Sequence, residues 1–173
     1  MSIINVVGAK IWGGGEQYVY DICKQLQQRH RTAYILVDQS NEDMQSRYAQ
    51  VGHVITANLY TLKGFLSVNA VAKQVKEQGI NTIVCHSGKY ILFCIALKQL
   101  TGAKLVFIKH NLVPGKTDMY HRWINAQVDA FVCVSKLVYD DLMTPVIKDT
   151  SKYHVVHNGI DPNRFQSFSD AVP

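Results

Sequence analysis

The sequence predicts an α/β fold, a three-layer Rossmann-like architecture in which helices cover both faces of a doubly wound parallel sheet. Short runs rich in β-branched residues alternate along the chain with longer segments of helical periodicity. The strand candidates are almost continuously apolar, which is typical of strands that are buried on both faces. Strands that alternate with helices form right-handed βαβ units, and such units build a parallel sheet.

The apolar runs predict strands over residues 2–7, 32–37, 54–56, 82–85, 104–108, 130–134 and 153–156. Helical periodicity predicts helices over residues 16–30, 66–78, 89–100 and 136–142. The segment 39–52 is polar, and its sequence pattern indicates secondary structure less clearly than that of any other segment. We therefore assign it neither a helix nor a strand.

The first helix has the clearest pattern. One apolar stripe runs along it, formed by Tyr18, Val19, Ile22, Cys23 and Leu26. Glu16 lies at its amino-terminal end and Arg29 near its carboxyl-terminal end, as the helix dipole favours. Gly79 and Gly102 follow two later helices and are predicted to stop them.

Length and composition favour one globular domain. The chain has 173 residues, of which 47% are hydrophobic and 18% charged, and this composition excludes a disordered protein. The formal net charge of +5 suits anionic partners such as nucleotides or phospholipid head groups. Basic residues form no block and are not interleaved with aromatic ones, so we expect no nucleic-acid surface.

Cysteine usage and the first residues favour a cytoplasmic protein. The four cysteines lie far apart inside apolar segments and are expected to be buried free thiols, as in a reducing compartment. The beginning of the chain lacks the basic segment and the long apolar run of a signal peptide. No apolar run is long enough for a transmembrane helix.

A glycine turn follows the first strand. Gly13, Gly14, Gly15 and Glu16 open the first helix, at the position that faces the ligand crevice of a doubly wound sheet. Glycines let backbone N–H groups approach an anion, and the helix dipole attracts it. A structural alternative is a tight turn that needs glycine only for a positive φ.

A dinucleotide site is a competing interpretation of the same turn. Asp38 closes the second strand, near the spacing of an acid that binds ribose. However, Gly8 stands too far before Gly13 for the usual glycine fingerprint, and Glu16 would repel a pyrophosphate. A nucleotide- or dinucleotide-binding module therefore stays as the second hypothesis.

Polar residues also follow three later strands. His86, His110 and Ser135 each stand just after an apolar run, where parallel strands present their carboxyl ends to a ligand. Ser87 and Ser135 have an equally good structural role as helix N-caps. The serines lie in no G-x-S-x-G elbow, and the histidines lack metal-ligand spacing, so we expect neither a serine hydrolase nor a metal site.

The end of the chain carries the most specific pattern. Val155 and Val156 lead through His157 into Asn158-Gly159-Ile160-Asp161, and Phe165 follows. This stretch resembles the interdomain crossover of family 4 glycosyltransferases, and the glycine turn resembles their Gly-Gly-x-Glu element. The resemblance implies that residues 1–157 are the acceptor-binding domain of a GT-B fold and residues 158–173 its crossover. The donor-binding domain is expected to be absent from this chain.

The resemblance also implies roles for single residues. His110 matches a histidine that contacts the sugar in the cleft, and we assign it the catalytic position. Its neighbours Lys109 and Asn111 are assigned to substrate binding. The remaining substrate-binding candidates are Gly14, Gly15, Glu16, His86 and Ser135, the last within a Val-x-Val-Ser element like that of the family.

The implied reaction is a retaining transfer of a sugar from a nucleotide-sugar donor to a glycan or lipid-linked acceptor, as in lipopolysaccharide or capsule synthesis. The resemblance implies no cofactor and no metal. Relatives hold the donor mainly through a second domain with two glutamates, and this chain lacks that pair. The chain alone is therefore expected to be inactive.

A peripheral contact with the inner membrane leaflet is a further expectation. The segment 112–123 combines basic and aromatic residues, and similar enzymes with lipid-linked acceptors dock through this half. The alternative is a solvated helix with Trp123 packed into the core. A scaffolding domain without chemistry is the third hypothesis for the chain as a whole.

Overall fold

A computed structural model describes residues 2–59, 64–143 and 150–159. Seven parallel strands form one sheet in these ranges, in the order β3-β2-β1-β4-β5-β6-β7. The strands are β1 (Ile3–Val6), β2 (Ala33–Asp38), β3 (His53–Ala57), β4 (Thr82–Cys85), β5 (Lys104–Lys109), β6 (Ala130–Cys133) and β7 (Tyr153–Val155). The predicted α/β class and parallel sheet are confirmed.

Helices connect these strands. They are α1 (Gly14–Gln28), α2 (Glu42–Tyr48), α3 (Gly64–Glu77), α4 (Ile91–Thr101), α5 (Met119–Gln127) and α6 (Lys136–Met143), and a short 3₁₀ turn (Gly88–Tyr90) precedes α4. As predicted, Gly79 and Gly102 follow helices with φ values of 61° and 74°. Glycine adopts this left-handed conformation without steric cost, which explains why both helices end there.

Like α5, helix α2 was not among the elements that the periodicity predicted. It is only 7 residues long and buries just Met44 and Tyr48, so its apolar stripe is too short to stand out. Its local signals are polar: the Asn41 side chain accepts a hydrogen bond from the Met44 N–H, and Glu42 lies in the first turn.

Each face of the sheet has its own core. On one face, Ile4 and Val6 of β1 pack in a cluster with α3 and α4 residues such as Val71 and Cys94. On the other face, Val7 packs in a cluster with α1 and α2 residues such as Val19. Because side chains alternate along a strand, neighbouring residues of one strand serve different faces.

The strand order reverses beside β1. The chain builds β1, β2 and β3 outward in one direction and then returns to place β4 on the other side of β1. Ligands of doubly wound sheets bind at such a reversal, outside the carboxyl ends of the strands. We call this side of the sheet, just beyond Val6, Asp38, Cys85 and Lys109, the carboxyl edge.

Candidate active site at the carboxyl edge

The glycine turn lies at the carboxyl edge and forms the first turn of α1. Gly13 is the N-cap, with extended backbone and no side-chain cap, and Gly14 and Gly15 are the first two helical residues. The structural alternative for this turn is wrong, because none of the three glycines has a positive φ. A Cβ added at Gly14 would meet no atom within 4 Å, so this position opens outward.

A cluster from α1 and α2 holds the turn in place. The Trp12 ring packs against Tyr48 at a centroid distance of 5.2 Å, and its Nε1 donates to Gln17 Oε1 over 3.1 Å. The Tyr48 hydroxyl donates to the Glu16 carbonyl over 3.0 Å. Asn41 Nδ2 donates to the Ala9 carbonyl over 3.0 Å. The helix that the periodicity missed therefore positions the glycine turn.

Gly8 has a steric function. The buried Tyr90 donates its hydroxyl proton to the Gly8 carbonyl, and a Cβ at Gly8 would lie only 2.3 Å from Tyr90 Cζ. A side chain at residue 8 would force Tyr90 to shift. Glycine therefore allows the close approach of Tyr90 where the chain leaves β1, and this accounts for Gly8 without a dinucleotide fingerprint.

Two histidines meet at the centre of the carboxyl edge. His86 follows β4 and His110 follows β5, and their ring nitrogens Nδ1 and Nε2, respectively, lie 3.1 Å apart in a hydrogen bond. His86 Nε2 lies 3.0 Å from the side-chain oxygen of the buried Asn5 in β1. A continuous hydrogen-bonded chain therefore joins β1, β4 and β5.

The first turns of α1 cover this pair. The Tyr18 ring makes edge contacts with both imidazoles, at centroid distances of 5.2 Å to His110 and 6.3 Å to His86. A Cβ added at Gly15 would lie 3.9 Å from His110. The structure thus brings together Gly14, Gly15, His86 and His110 from the predicted set.

Both imidazoles are neutral at neutral pH. Burial is the main cause that lowers the pKa of His86 to about 3, and proximity to His110 lowers it further. Burial also lowers the pKa of His110 from its usual value. Removal from water disfavours the charged imidazolium, and a second positive charge beside the first costs more. The pair therefore offers hydrogen bonds and one proton acceptor rather than a fixed positive charge.

Lys109 lies apart from the histidine pair. Alternation along β5 puts Lys109 and His110 on opposite faces of the sheet. The Lys109 ammonium lies 4.5 Å from the centre of the Phe107 ring, and burial lowers its pKa. Lys109 pairs in register with Cys133 of β6. Its assignment to substrate binding stays a prediction, and the structure places it outside the His86–His110 cluster.

The other predicted residues are exposed, lie at the start of α1 or cap a helix. Asn111 is exposed beside His110. Glu16 Oε2 lies 3.3 Å from where a Cβ of residue 13 would stand, so its carboxylate reaches back to the start of α1. Ser135 accepts a hydrogen bond from the Val138 N–H over 3.2 Å, which confirms its structural role as an N-cap. Ser87 caps the 3₁₀ turn in the same way through Lys89.

Asp38 has no free oxygen for a ribose. The backbone N–H and the hydroxyl of Ser40 both donate to Oδ1, and the Leu59 N–H donates to Oδ2 over 2.7 Å. These bonds tie the end of β2 to the end of β3 in a buried site. The structure thus gives Asp38 a structural role, which weakens the dinucleotide hypothesis.

Several further observations bear on the other predictions made from the sequence. All four cysteines are free and buried, as predicted. In residues 2–59, 64–143 and 150–159, no three His, Cys, Asp or Glu side chains form a group that could hold a metal ion. No helix in these ranges is long and apolar enough to cross a membrane. Of the crossover pattern, residues 160–165 lie outside the described residues.

Comparison with known proteins decides the family. The model of Glycosyltransferase Family 4 matches residues 12–164, which is most of the chain. The chain belongs to glycosyltransferase family 4. A search of curated protein sequences finds no match. The predicted resemblance is therefore confirmed at the level of the family.

Solved structures confirm the GT-B relationship of the fold. A glycosyltransferase from Rickettsia africae ESF-5 superimposes with a TM-score of 0.73 and 17% identity, over 98% of this chain and 48% of that protein. Anabaena Alr3699/HepE in complex with UDP gives a TM-score of 0.73 and 16% identity, over 94% and 45%. The apo lipopolysaccharide outer core galactosyltransferase WaaB gives 0.64 and 14%, over 93% and 46%. The chain thus spans about half of each of these proteins.

Sequence reasoning missed several residues that build the site. Asn5, Tyr18 and Trp12 hold the histidine pair and the glycine turn, and none was a predicted site residue. Asn5 carried a usable signal, because an amide inside a continuously apolar strand must find a partner when it is buried. Tyr18 and Trp12 carried no such signal, since both match an ordinary apolar pattern.

Proposed function

We propose that this chain is the acceptor-side half of a retaining glycosyltransferase. The reaction moves a sugar, of the hexosyl type, from a nucleotide-sugar donor to a hydroxyl of a glycan or lipid-linked acceptor. Lipopolysaccharide or capsule synthesis in the cytoplasm is the proposed setting. No metal or other cofactor takes part in the proposed reaction.

The observation that carries the proposal is the contact between the glycine turn and the histidine pair. Gly15 and Tyr18 of α1 lie against His110, and Gly14 opens outward beside them. Backbone N–H groups at a helix start attract an anion, while a neutral imidazole hydrogen-bonds a sugar hydroxyl. A nucleotide sugar and its acceptor carry the two matching ligand groups, an anionic phosphate and sugar hydroxyls. We propose that both bind at the carboxyl edge.

The donor assignment draws on the structural relatives. Anabaena HepE was solved with UDP and with UDP-glucose, so we propose a uridine or similar nucleotide sugar as the donor here. Those proteins are about twice as long as the part that this chain matches. We propose that the donor is held mainly by a second domain, which this chain meets across the carboxyl edge.

One half of the cleft cannot by itself align the donor and the acceptor for the reaction. Positioning of two substrates requires groups on both sides, and closure of the cleft removes water from the reacting atoms. We therefore propose that the chain alone transfers no sugar. Measurable transfer by the purified chain from any labelled nucleotide sugar would overturn this part of the proposal.

The role of His110 is tested in a completed enzyme. The chain is joined to the donor-binding half of a family 4 enzyme, and transfer from labelled nucleotide sugars to glycan acceptors is measured. His110→Ala is expected to lower the rate by about 100-fold or more, as loss of a group that hydrogen-bonds or takes a proton at the reacting centre does. His53→Ala, at the far end of the sheet, is the matched control and should leave the rate unchanged. An unchanged rate for His110→Ala would remove this residue from the mechanism.

Calorimetry separates the transferase from the dinucleotide module. The chain is titrated with UDP-glucose and with NAD under the same conditions. Weak binding of the nucleotide sugar and negligible binding of NAD are expected, because Asp38 is buried and both of its carboxylate oxygens already accept hydrogen bonds within the protein. Preferential binding of NAD would favour the dinucleotide hypothesis instead.

We also propose a peripheral membrane contact through the segment before and within α5. Trp123 is 46% exposed, so its predicted alternative location in the core is wrong. Met119 is 88% exposed, and Leu112, Val113 and Tyr120 are also exposed large apolar residues. Lys116 and Arg122 are exposed and supply positive charge beside them. Apolar and basic side chains side by side suit an anionic lipid interface.

Vesicle flotation tests the membrane proposal. The chain should float with vesicles of anionic lipid and less with zwitterionic ones. The double variant Met119→Ser and Trp123→Ser should lose this enrichment. Leu137→Ser, which removes an exposed leucine from α6, is the matched control and should retain it. Equal behaviour of the two variants would contradict the assignment of this surface.

A further inference from the structure

The hydrogen-bonded chain at the carboxyl edge has a direction that its inner end determines. Asn5 presents its amide nitrogen to Cys23 Sγ, at 3.9 Å, and its amide oxygen to His86 Nε2, at 3.0 Å. Burial raises the pKa of Cys23 to about 12, so the sulfur is a neutral thiol. An amide oxygen accepts hydrogen bonds and cannot donate them. With the Asn5 amide in this orientation, the proton between Asn5 and His86 belongs to His86 Nε2.

Proton counting then extends from Asn5 to His110. A neutral imidazole carries one N–H, so a proton on His86 Nε2 leaves its Nδ1 as an acceptor. Nδ1 of His86 is 3.1 Å from Nε2 of His110, and a hydrogen bond at this distance needs a proton from His110. His110 consequently carries its proton on Nε2. Its Nδ1 keeps the lone pair.

We propose that Asn5 and His86 are positioning residues that hold His110 in one tautomer. In this tautomer the active atom of His110 is Nδ1, which carries the lone pair. Both ring nitrogens of His86 are used inside the protein, so His86 orients His110 and is not itself a substrate ligand. Among the described residues, none forms a hydrogen bond with His110 Nδ1. Asp38, the buried acidic residue of the described ranges, is tied into its own hydrogen bonds with Ser40 and Leu59.

The fixed tautomer selects the chemistry of the ligand group. An Nδ1 lone pair accepts a hydrogen bond from a hydroxyl and repels a carbonyl or phosphoryl oxygen. This step rests on the proposed function, and it assigns His110 to a hydroxyl group of a sugar or other alcohol. A phosphate of the donor would not bind at this nitrogen.

Nuclear magnetic resonance of the imidazole nitrogens tests the tautomer directly in the wild-type chain. We expect the shifts of His86 and His110 to show protonated Nε2 and unprotonated Nδ1 in both rings. A nitrogen–nitrogen coupling through the hydrogen bond should join His110 Nε2 to His86 Nδ1, with the proton on His110. A proton on His110 Nδ1, or on His86 Nδ1, would overturn the proposal. No variant needs to fold for this measurement.

The variant Asn5→Asp tests whether residue 5 sets the direction. A carboxylate beside His86 Nε2 favours a doubly protonated His86, whose Nδ1 proton then points at His110 Nε2. The proton of His110 is therefore expected to move to Nδ1. Retention of the Nε2 proton in a folded Asn5→Asp protein would remove Asn5 from the proposal. His53→Gln, outside the pair, should leave all these signals unchanged.

Ligand titration keeps this inference separate from the proposed function. Addition of a soluble glycan acceptor should shift the His110 Nδ1 resonance, while inorganic phosphate should not. If the tautomer is as expected but no glycan shifts the resonance, the proposed function fails and the positioning of His110 stands. If phosphate alone shifts Nδ1 strongly, the assignment to hydroxyl groups is wrong.

Discussion

The two edges of the sheet use polar residues in opposite ways. At the edge where the strands begin, the Asp129 carboxylate accepts from the Leu105 N–H over 2.8 Å and pairs with Lys98 over 2.7 Å. At the carboxyl edge, two neutral histidines share one hydrogen bond and leave a ring nitrogen for a ligand. A hydrogen-bonded ion pair stabilises the fold, whereas a neutral cluster with an unused hydrogen-bond acceptor suits a binding site.

The pKa values at the two edges show the same contrast between a charged pair and a neutral pair. Burial alone would raise the pKa of Asp129, but the Leu105 N–H and the Lys98 ammonium hold it below its usual value. Burial instead lowers the pKa values of His86 and His110, and no opposite charge compensates. The Asp129–Lys98 pair therefore keeps its charges, and the His86–His110 pair stays uncharged.

The largest expected effect is on the turn that leads to the carboxyl edge. Gly8→Ala forces a methyl group into Tyr90 and should lower the free energy of unfolding by about 3 kcal/mol. Gly14→Ala is the matched control, because its Cβ meets open space and alanine favours a helix. Urea denaturation of both variants measures the difference. Similar stabilities for the two would show that the Tyr90 contact does not constrain Gly8.

The next effect concerns the opposite edge. Asp129→Asn should lower the free energy of unfolding by about 2 kcal/mol, because the partly buried Lys98 loses its anionic partner. The same variant should leave ligand binding at the carboxyl edge unchanged. Thermal unfolding and a UDP-glucose titration measure the two properties. A loss of binding without a loss of stability would reverse the roles that we assign to the two edges.

The third effect is a difference in acid sensitivity. The pKa of His86 is lower in the folded state than in the unfolded state, so the unfolded state binds more protons between about pH 6.5 and pH 3. Stability should therefore fall as the pH drops below 6.5, by up to about 1.4 kcal/mol per pH unit for each such proton. The pKa of Asp129 is also lowered, but its contribution to stability is lost only below the usual carboxyl pKa.

Urea denaturation at pH 7, 6 and 5 measures this dependence. The double variant His86→Gln and His110→Gln should show a smaller loss of stability over this range than the wild type. Asp129→Asn should keep the wild-type slope, since its carboxyl group does not titrate there. A double variant with the full wild-type slope would show that other histidines cause the acid sensitivity.

Sequence reasoning worked best where the evidence was periodic or local. The strand at Thr82–Cys85 was predicted with its observed bounds, and Gly79 and Gly102 stop helices as expected. It failed at α2, where 7 residues carry too short an apolar stripe to be seen. It could not separate Lys109 from His110 either, although alternation along a strand gives them different faces.

The sequence by itself determined the fold class, the family and the approximate edge of the site. These properties follow from periodicity and from short motifs, which are local in the chain. Only the tertiary structure joined Asn5, His86 and His110, because three strands that are distant in sequence become neighbours in the sheet. The state of the His110 proton was likewise decided there, since it depends on which atoms face one another across the strands and not on which residues follow one another.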